Sequence, residues 1–311
     1  MSTSGTTSFA RTRDQIVKGA MRLIGVLGAG TVQTAEEISD GAEALNMMVK
    51  SWEADGLHLW TETEATLFCA KGQTSYTFPG ANATTSYTAT TLTAAAVAGA
   101  TNLTVASIAA ISNGQYIGIL LDDGTMHWTT VNGAPAGSTV TIIAGLASGA
   151  AIGQAVYAYT TQIAKPLRVH TLRLMNLSGN EVPFSGDSEP VSRRTYFNTP
   201  NKAATGTPLL GYYDDQRSSG TLYLWLTPDS ASHRVRFTYE RAIEDFNAIT
   251  DNPDFPQEWL EALKYNLAVR IAPEYNLDVR PAVSAMADRL YQQLLDWDRD
   301  PAPITFEPDW Y

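Results

Sequence analysis

Cysteine is almost missing from this chain of 311 residues, with Cys69 standing alone. One thiol closes no intramolecular disulfide and builds no multi-thiolate metal site. Histidine is sparse as well: His58, His127, His170 and His233 are dispersed, so no metal is expected, and no cofactor. Positive charge is in short supply, 21 Lys and Arg against 32 Asp and Glu, a net −11. A field of that sign repels phosphates and argues against a general nucleic-acid binder. Residues 72–164 hold no Lys or Arg at all, and only Asp122 and Asp123 as acids. No uncharged apolar run approaches the roughly 18 residues of a membrane span, so no membrane is expected as a partner. Lys18 and Arg22 interrupt the apolar stretch 16–27 and spoil a signal-peptide core. The chain is expected in the cytoplasm, or assembled there into something larger.

Catalytic patterns are missing too. There is no phosphate-cradling glycine loop ending in Lys-Ser or Lys-Thr, no nucleophile elbow and no His-Glu-x-x-His. Cys69 follows Leu67 and Phe68 on an expected strand, with no histidine near it in sequence, and reads as a buried inert thiol. His127 beside Trp128 reads as a strand residue against an aromatic ring. The acid pairs Asp122-Asp123 and Asp214-Asp215 are expected to face water in turns. No catalytic residue is assigned and the chain is not expected to be an enzyme.

What is present is a globular composition, 44% hydrophobic and 17% charged, ample for a buried core. The ends are helical. Thr12 with Gln15 opens a helix whose face is Ile16, Ala20, Leu23 and Leu27, with Gly28 and Gly30 as stops. Thr34 with Glu37 opens a second, with Ile38, Ala42, Leu45, Val49 and Trp52 on one face and Gly56 at its end. Near the other terminus, Pro256 starts a helix with the face Leu260, Leu263, Leu267 and Ile271, which Pro273 ends. A last helix from about Asp278 to Trp297 presents Val283, Ala287, Leu290, Leu294 and Trp297, and both Trp52 and Trp297 are expected in the core. None of these stripes can be hidden alone, so the two pairs are expected to pack together.

Between them the chain alternates as strands do, at 103–105, 116–120, 127–131, 140–142 and 156–159, then at 172–174, 221–226 and 234–239. Asp122-Asp123-Gly124 is expected to turn one hairpin, and residues 214–220 to form the loop of another. The fold class is α+β: a discontinuous α-helical bundle, two N-terminal and two C-terminal helices, with inserted β portions and an extended C-terminal tail. The expected divisions are 1–60 for the helical hairpin, 61–79 and 161–250 for one β portion, 80–160 for an inserted small sandwich or barrel, 251–298 for the C-terminal helices and 299–311 for the tail.

Charge is polarised along this plan. Residues 240–311 hold fifteen acids and six bases, whereas the first helix region carries Arg11, Arg13, Lys18 and Arg22 against Asp14. Such polarity suits head-to-tail or side-by-side packing of copies, or a partner of opposite sign. The tail contains Pro301, Pro303 and Pro308, which forbid a helix, yet also Ile304, Phe306, Trp310 and Tyr311, side chains typical of interface anchors.

Four blocks resemble the head-to-tail adaptor family of short-tailed bacteriophages, also called tail accessory factor, packaged-DNA stabilisation protein or tail tubular protein A. They are residues 20–25 with 44–52 and Gly56; residues 71–78; Gly206-Thr207-Pro208 with Tyr212-Tyr213 and 220–225; and residues 255–275, the most specific. Residues 80–160 depart from the compact family pattern and look like an inserted module. The resemblance implies twelve copies forming a ring beneath the portal protein, a DNA channel through which double-stranded DNA passes without specific binding, retention of packaged DNA, and a platform for the tail nozzle or tubular protein. It implies a virion protein of the head–tail junction, assembled in the host cytoplasm. The family's C-terminal extension reaches the portal, which implies Ile304, Phe306, Trp310 and Tyr311 as portal or subunit contacts. Two alternatives stand beside it: a virion-associated peptidoglycan hydrolase, as linked to some relatives, and a capsid- or host-surface-binding module formed by the β insert. An exposed Trp128 would favour the second alternative, and a packed one plain scaffolding.

Overall fold

The structure, a computed structural model, describes residues 5–6, 8–28, 30–56, 59–184 and 188–297. The fold is α+β. Its helices are α1 (Arg13–Ile24), α2 (Ala35–Ala54), α3 (Arg193–Asn198), α4 (Leu260–Ile271) and α5 (Pro281–Trp297). The strands before residue 100 are β1 (Glu62–Phe68), β2 (Ser75–Phe78), β3 (Ala83–Thr84) and β4 (Thr88–Thr91). Then come β5 (Asn102–Thr104), β6 (Tyr116–Leu120), β7 (Met126–Thr130), β8 (Thr139–Thr141) and β9 (Ala155–Tyr159). The remainder are β10 (Arg168–Met175), β11 (Glu181–Pro183), β12 (Thr205–Gly206), β13 (Leu210–Asp215), β14 (Gly220–Trp225), β15 (Thr227–Pro228) and β16 (Arg234–Glu240). The chain divides into two compact units, Met1–Thr61 with Ala242–Tyr311, and Glu62–Arg241.

In the first unit, the caps set the helix starts. The Thr12 N–H donates to Gln15 Oε1 at 3.3 Å before α1. At α2 the box is reciprocal: Thr34 N–H to Glu37 Oε2 at 2.7 Å, and Glu37 N–H to Thr34 Oγ1 at 3.2 Å. Gly25, left-handed at φ 86°, ends α1, so Gly28 and Gly30 are not its stops. Leu27 therefore lies past the helix, though still buried. Helices α1, α2, α4 and α5 contribute to one core that includes Ile16, Leu45, Trp52, Trp259, Leu263, Leu267 and Ile271. Trp259 is fully buried, its ring 4.5 Å from that of Trp60, 5.6 Å from Phe255 and 6.2 Å from Trp52.

The two halves of this unit are also joined by hydrogen bonds from α2. Asn46 exchanges two bonds with the Phe246 backbone, at 2.9 and 3.2 Å. One and two turns on, Lys50 Nζ donates to the Ile243 carbonyl at 2.7 Å, and Glu53 Oε1 accepts the Ile243 N–H at 2.8 Å. Spacing of four and three residues puts all three on one helix face, where they satisfy an extended stretch that has no sheet to join. Trp297 differs from expectation: it is 54% exposed. It sits at the last position of α5, beyond Leu294, the final buried residue of that helix.

In the second unit, a five-stranded sheet runs β11-β10-β16-β1-β3 and a three-stranded sheet runs β13-β14-β2. Period-two alternation supplies their shared core: Leu67, Leu172, Val235 and Phe237 from the first, Phe78, Leu222 and Leu224 from the second. β13 and β14 pair through Asp215 and Gly220, so the hairpin loop spans only 216–219 rather than 214–220. Between β3 and β10 lies a four-stranded sheet, β4-β9-β6-β7, with the two-stranded pair β5-β8. These enclose a separate core that includes Leu103, Ile117, Ile119, Val140 and Val156. Asp122-Asp123-Gly124 does turn β6 into β7.

Candidate assembly surfaces

Two surface features of the described residues have the chemistry of docking, and a third, buried feature joins two parts of the second unit. The first is a groove of about 520 Å³ between α1 and α4. Its walls combine apolar side chains, Phe9, Ile16 and Leu260, with four cations, Arg11, Lys18, Arg22 and Lys264. Lys18 and Arg22 share a helix face because they are four residues apart. Lys264 reaches the same place because α4 crosses α1 at Gly19, where a Cβ would meet the Lys264 side chain at 2.9 Å. Among the described residues Glu261 is the one carboxylate in the lining, and none of the four cations forms an ion pair.

The second is the outer face of α2. Glu36, Asp40, Glu43 and Met47 recur at spacings of four, three and four, and all are exposed, Met47 at 48%. None of these three acids forms an ion pair among the described residues either.

The third holds the inserted module to the larger sheet. Phe68, the last residue of β1, is buried against Tyr157 (5.0 Å between ring centroids), Tyr87 (5.2 Å), Trp128 (5.2 Å) and Tyr159 (6.0 Å). Trp128 lies over Gly118, whose missing side chain makes room: a Cβ there would come within 2.7 Å of the indole. The buried Arg234 guanidinium stands 4.9 Å over the Tyr157 ring, and its Nη1–H donates to the Tyr87 hydroxyl at 2.7 Å. The Tyr159 hydroxyl donates to Asn82 at 2.8 Å, and burial lifts its pKa to about 12. Trp128 is half-buried in this joint rather than displayed as an open aromatic platform.

The residues singled out for possible chemistry have structural partners. Cys69 is fully buried, and burial raises its thiol pKa to about 12, partly opposed by a hydrogen bond with Tyr76. Asp122 and Asp123 are exposed in their turn, as expected, and also accept hydrogen bonds. Asp122 Oδ1 accepts from the Ala151 N–H and Gln154 Nε2, both at 2.9 Å, while Asp123 Oδ1 closes the turn onto Thr125 N–H at 2.8 Å and its hydroxyl at 2.6 Å. Asp214 accepts from the Tyr212 hydroxyl at 2.9 Å, and Asp215 pairs with Lys165 at 2.6 Å. His127 bonds the Ala144 carbonyl at 3.1 Å and His233 bonds Asp229 at 2.8 Å. Across β1, β10, β11 and β16, Arg173 and Arg236 are directly opposed in register and are held there by Glu64 and Glu181. Two shared carboxylates offset what would otherwise be like charges across a ladder. Among the described residues there is no group of three or more His, Cys, Asp or Glu that could hold a metal, and no helix is long and apolar enough to cross a membrane.

Ile304, Phe306, Trp310 and Tyr311 lie outside the described residues. The groove was not legible as a site in the sequence. Lys18 and Arg22 marked a basic helix, but Lys264 joins them from about 240 positions away, and only tertiary packing reveals that.

No curated protein matches the chain. One solved structure that aligns is the Gp54 tailspike of Acinetobacter baumannii bacteriophage AP22 in complex with A. baumannii capsular saccharide. It shares 18% identity over 26% of this chain and 16% of that one, with a TM-score of 0.23. A likeness of that size carries no argument about fold or function. The SU10 adaptor protein model, in contrast, matches residues 129–305, more than half of the 311. Its match begins within β7, inside the segment 80–160, and runs through β8 to β16, the groove wall on α4 and the whole of α5. The chain therefore belongs to the SU10 adaptor family of bacteriophage head-to-tail adaptor proteins.

Proposed function

We propose that this chain is a structural component of the virion head–tail junction, where twelve copies form a ring beneath the portal. Each copy contributes its N- and C-terminal helices as one discontinuous bundle. The ring extends the DNA channel, retains the packaged genome and offers a platform to the tail nozzle or tubular protein. Double-stranded DNA passes through it without specific binding, consistent with a net charge of −11 that disfavours tight phosphate contacts. Assembly takes place in the host cytoplasm and no catalytic step is involved. The family membership over residues 129–305 is the observation that carries this reading.

The tail residues Ile304, Phe306, Trp310 and Tyr311 are the portal anchors in this proposal. Deleting residues 301–311 is expected to abolish binding to the portal ring while leaving the far-UV dichroism unchanged. Portal binding retained by the truncated chain would sink the assignment. For the insert, the packed position of Trp128 in the joint favours a scaffolding role over a surface-binding one. The acid pairs Asp122-Asp123 and Asp214-Asp215 are tied into turn hydrogen bonds and into contacts with Tyr212 and Lys165, which supports a structural use of these carboxylates over a hydrolytic one.

A further inference from the structure

The helical unit carries two stripes of opposite net charge on the same bundle, the basic one holding four cations against Glu261. On one side, Arg11, Lys18, Arg22 and Lys264 line the α1/α4 groove with no carboxylate paired to any of them among the described residues. On the other, Glu36, Asp40 and Glu43 run along the outer face of α2, likewise unpaired. α1 and α2 meet where Val17 fills the space left at Gly41. At about 100° per residue, both stripes lie roughly 120–130° around their helices from that contact, so each faces away from it. Each stripe also has an exposed apolar companion, Phe9 at 60% beside the groove and Met47 at 48% at the end of the acidic row.

We infer that the acidic face of α2 in one copy seats in the α1/α4 groove of the next copy. Two different but complementary patches on one chain make a heterologous contact, which propagates from copy to copy and closes into a ring when the rotation allows. This inference rests on the ring reading and names the surfaces that would build it. A second copy fits the groove better than nucleic acid does. Phosphates have no use for the exposed ring of Phe9 at the groove, whereas a helix bearing Met47 and three acids matches both that ring and the cations.

The test uses full-length chains and two double reversals, one in the groove (Lys18→Glu with Arg22→Glu) and one in the stripe (Asp40→Lys with Glu43→Lys). Each variant is mixed with the portal ring of the encoding phage and weighed by native mass measurement, its fold checked by dichroism. Each variant alone is expected to lose the multi-copy complex, because groove and stripe then carry the same sign. An equimolar mixture of the two is expected to recover it, since alternating copies restore opposite signs at every contact. Wild-type loading by either variant alone, or failure of the mixture to recover the complex, overturns the inference. Unchanged assembly together with weakened binding of duplex DNA by the groove variant overturns it in favour of a phosphate contact. The unmodified chain gives an independent reading that needs no variant to fold. Lateral association is expected to weaken as salt rises from low to physiological strength, and insensitivity to salt contradicts the inference. If the unmodified chain fails to load the portal at all, the ring reading itself falls. If it loads and the reversals load equally, only the groove assignment falls.

Discussion

Replacing Trp259 by alanine is expected to cost about 3–5 kcal/mol, the range for removing a fully buried tryptophan and leaving a cavity. Trp259 has no exposed surface, and it is the ring on which Trp52, Trp60 and Phe255 converge from three separate segments of the helical unit. Collapse into the vacancy is hindered because those neighbours are held independently, Trp60 for example by its Nε1–H to the Asp254 carbonyl at 3.0 Å. Trp259→Phe makes the informative contrast. The Trp259 Nε1–H is buried without a hydrogen-bond partner among the described residues. Phenylalanine removes that orphaned donor while keeping a ring in place, so it should cost roughly half as much or less. Urea titrations followed by far-UV dichroism check both values. An alanine variant within about 1 kcal/mol of wild type would contradict this account of the bundle core.

Replacing Phe68 by alanine is expected to be comparably severe, about 3–5 kcal/mol, but with a different signature. Phe68 belongs to the larger sheet, and its ring is the surface on which Tyr87, Trp128, Tyr157 and Tyr159 of the module assemble. The module has its own core around Ile117, Ile119 and Val156, which does not depend on Phe68. Loss of the ring should therefore uncouple two cores rather than melt one. Calorimetry is expected to show an additional, separate transition in Phe68→Ala, and a fragment spanning residues 80–161 should melt cooperatively by itself. An unchanged number of transitions in the variant would mean that the joint does not couple the two parts through Phe68.

The helices were the most legible part of the chain, for local reasons. Thr34 with Glu37, and the stripe Ala42, Leu45, Val49 and Trp52, act within one helix, so a sequence window contains all that is needed. The structure departs from the sequence pattern where termination or packing depends on something outside the window. Gly25 ends α1 before Gly28 or Gly30 can, because the first left-handed position available stops the hydrogen-bond ladder. Trp297 continues the apolar period of α5 but falls past the last turn that meets the core, and period alone does not report where the neighbouring helices stop. In the β region, β13 runs on through Asp214 and Asp215, residues whose turn preference is overridden by pairing with β14 and by contacts to Tyr212 and Lys165.

The assembly surfaces divide the same way. Family resemblance was legible in contiguous blocks, above all residues 255–275, and the family match includes that block. Single members of the tertiary features were visible, Lys18 and Arg22 as a basic helix face and Trp128 as a notable aromatic. Their partners, Lys264 for the first and Phe68 for the second, lie far away in sequence and carry no local mark. Arg234 shows this most clearly: on a strand it looks like an ordinary exposed cation, yet it is 3% exposed and stands over Tyr157 in the joint.

The central claim is that this chain works as a ring-forming adaptor on the portal, and the native mass of the chain mixed with its phage's portal ring tests it most directly. The account predicts a discrete complex with one copy of this chain for each portal subunit. A portal ring that keeps its own mass, with this chain remaining a separate monomer, would contradict it.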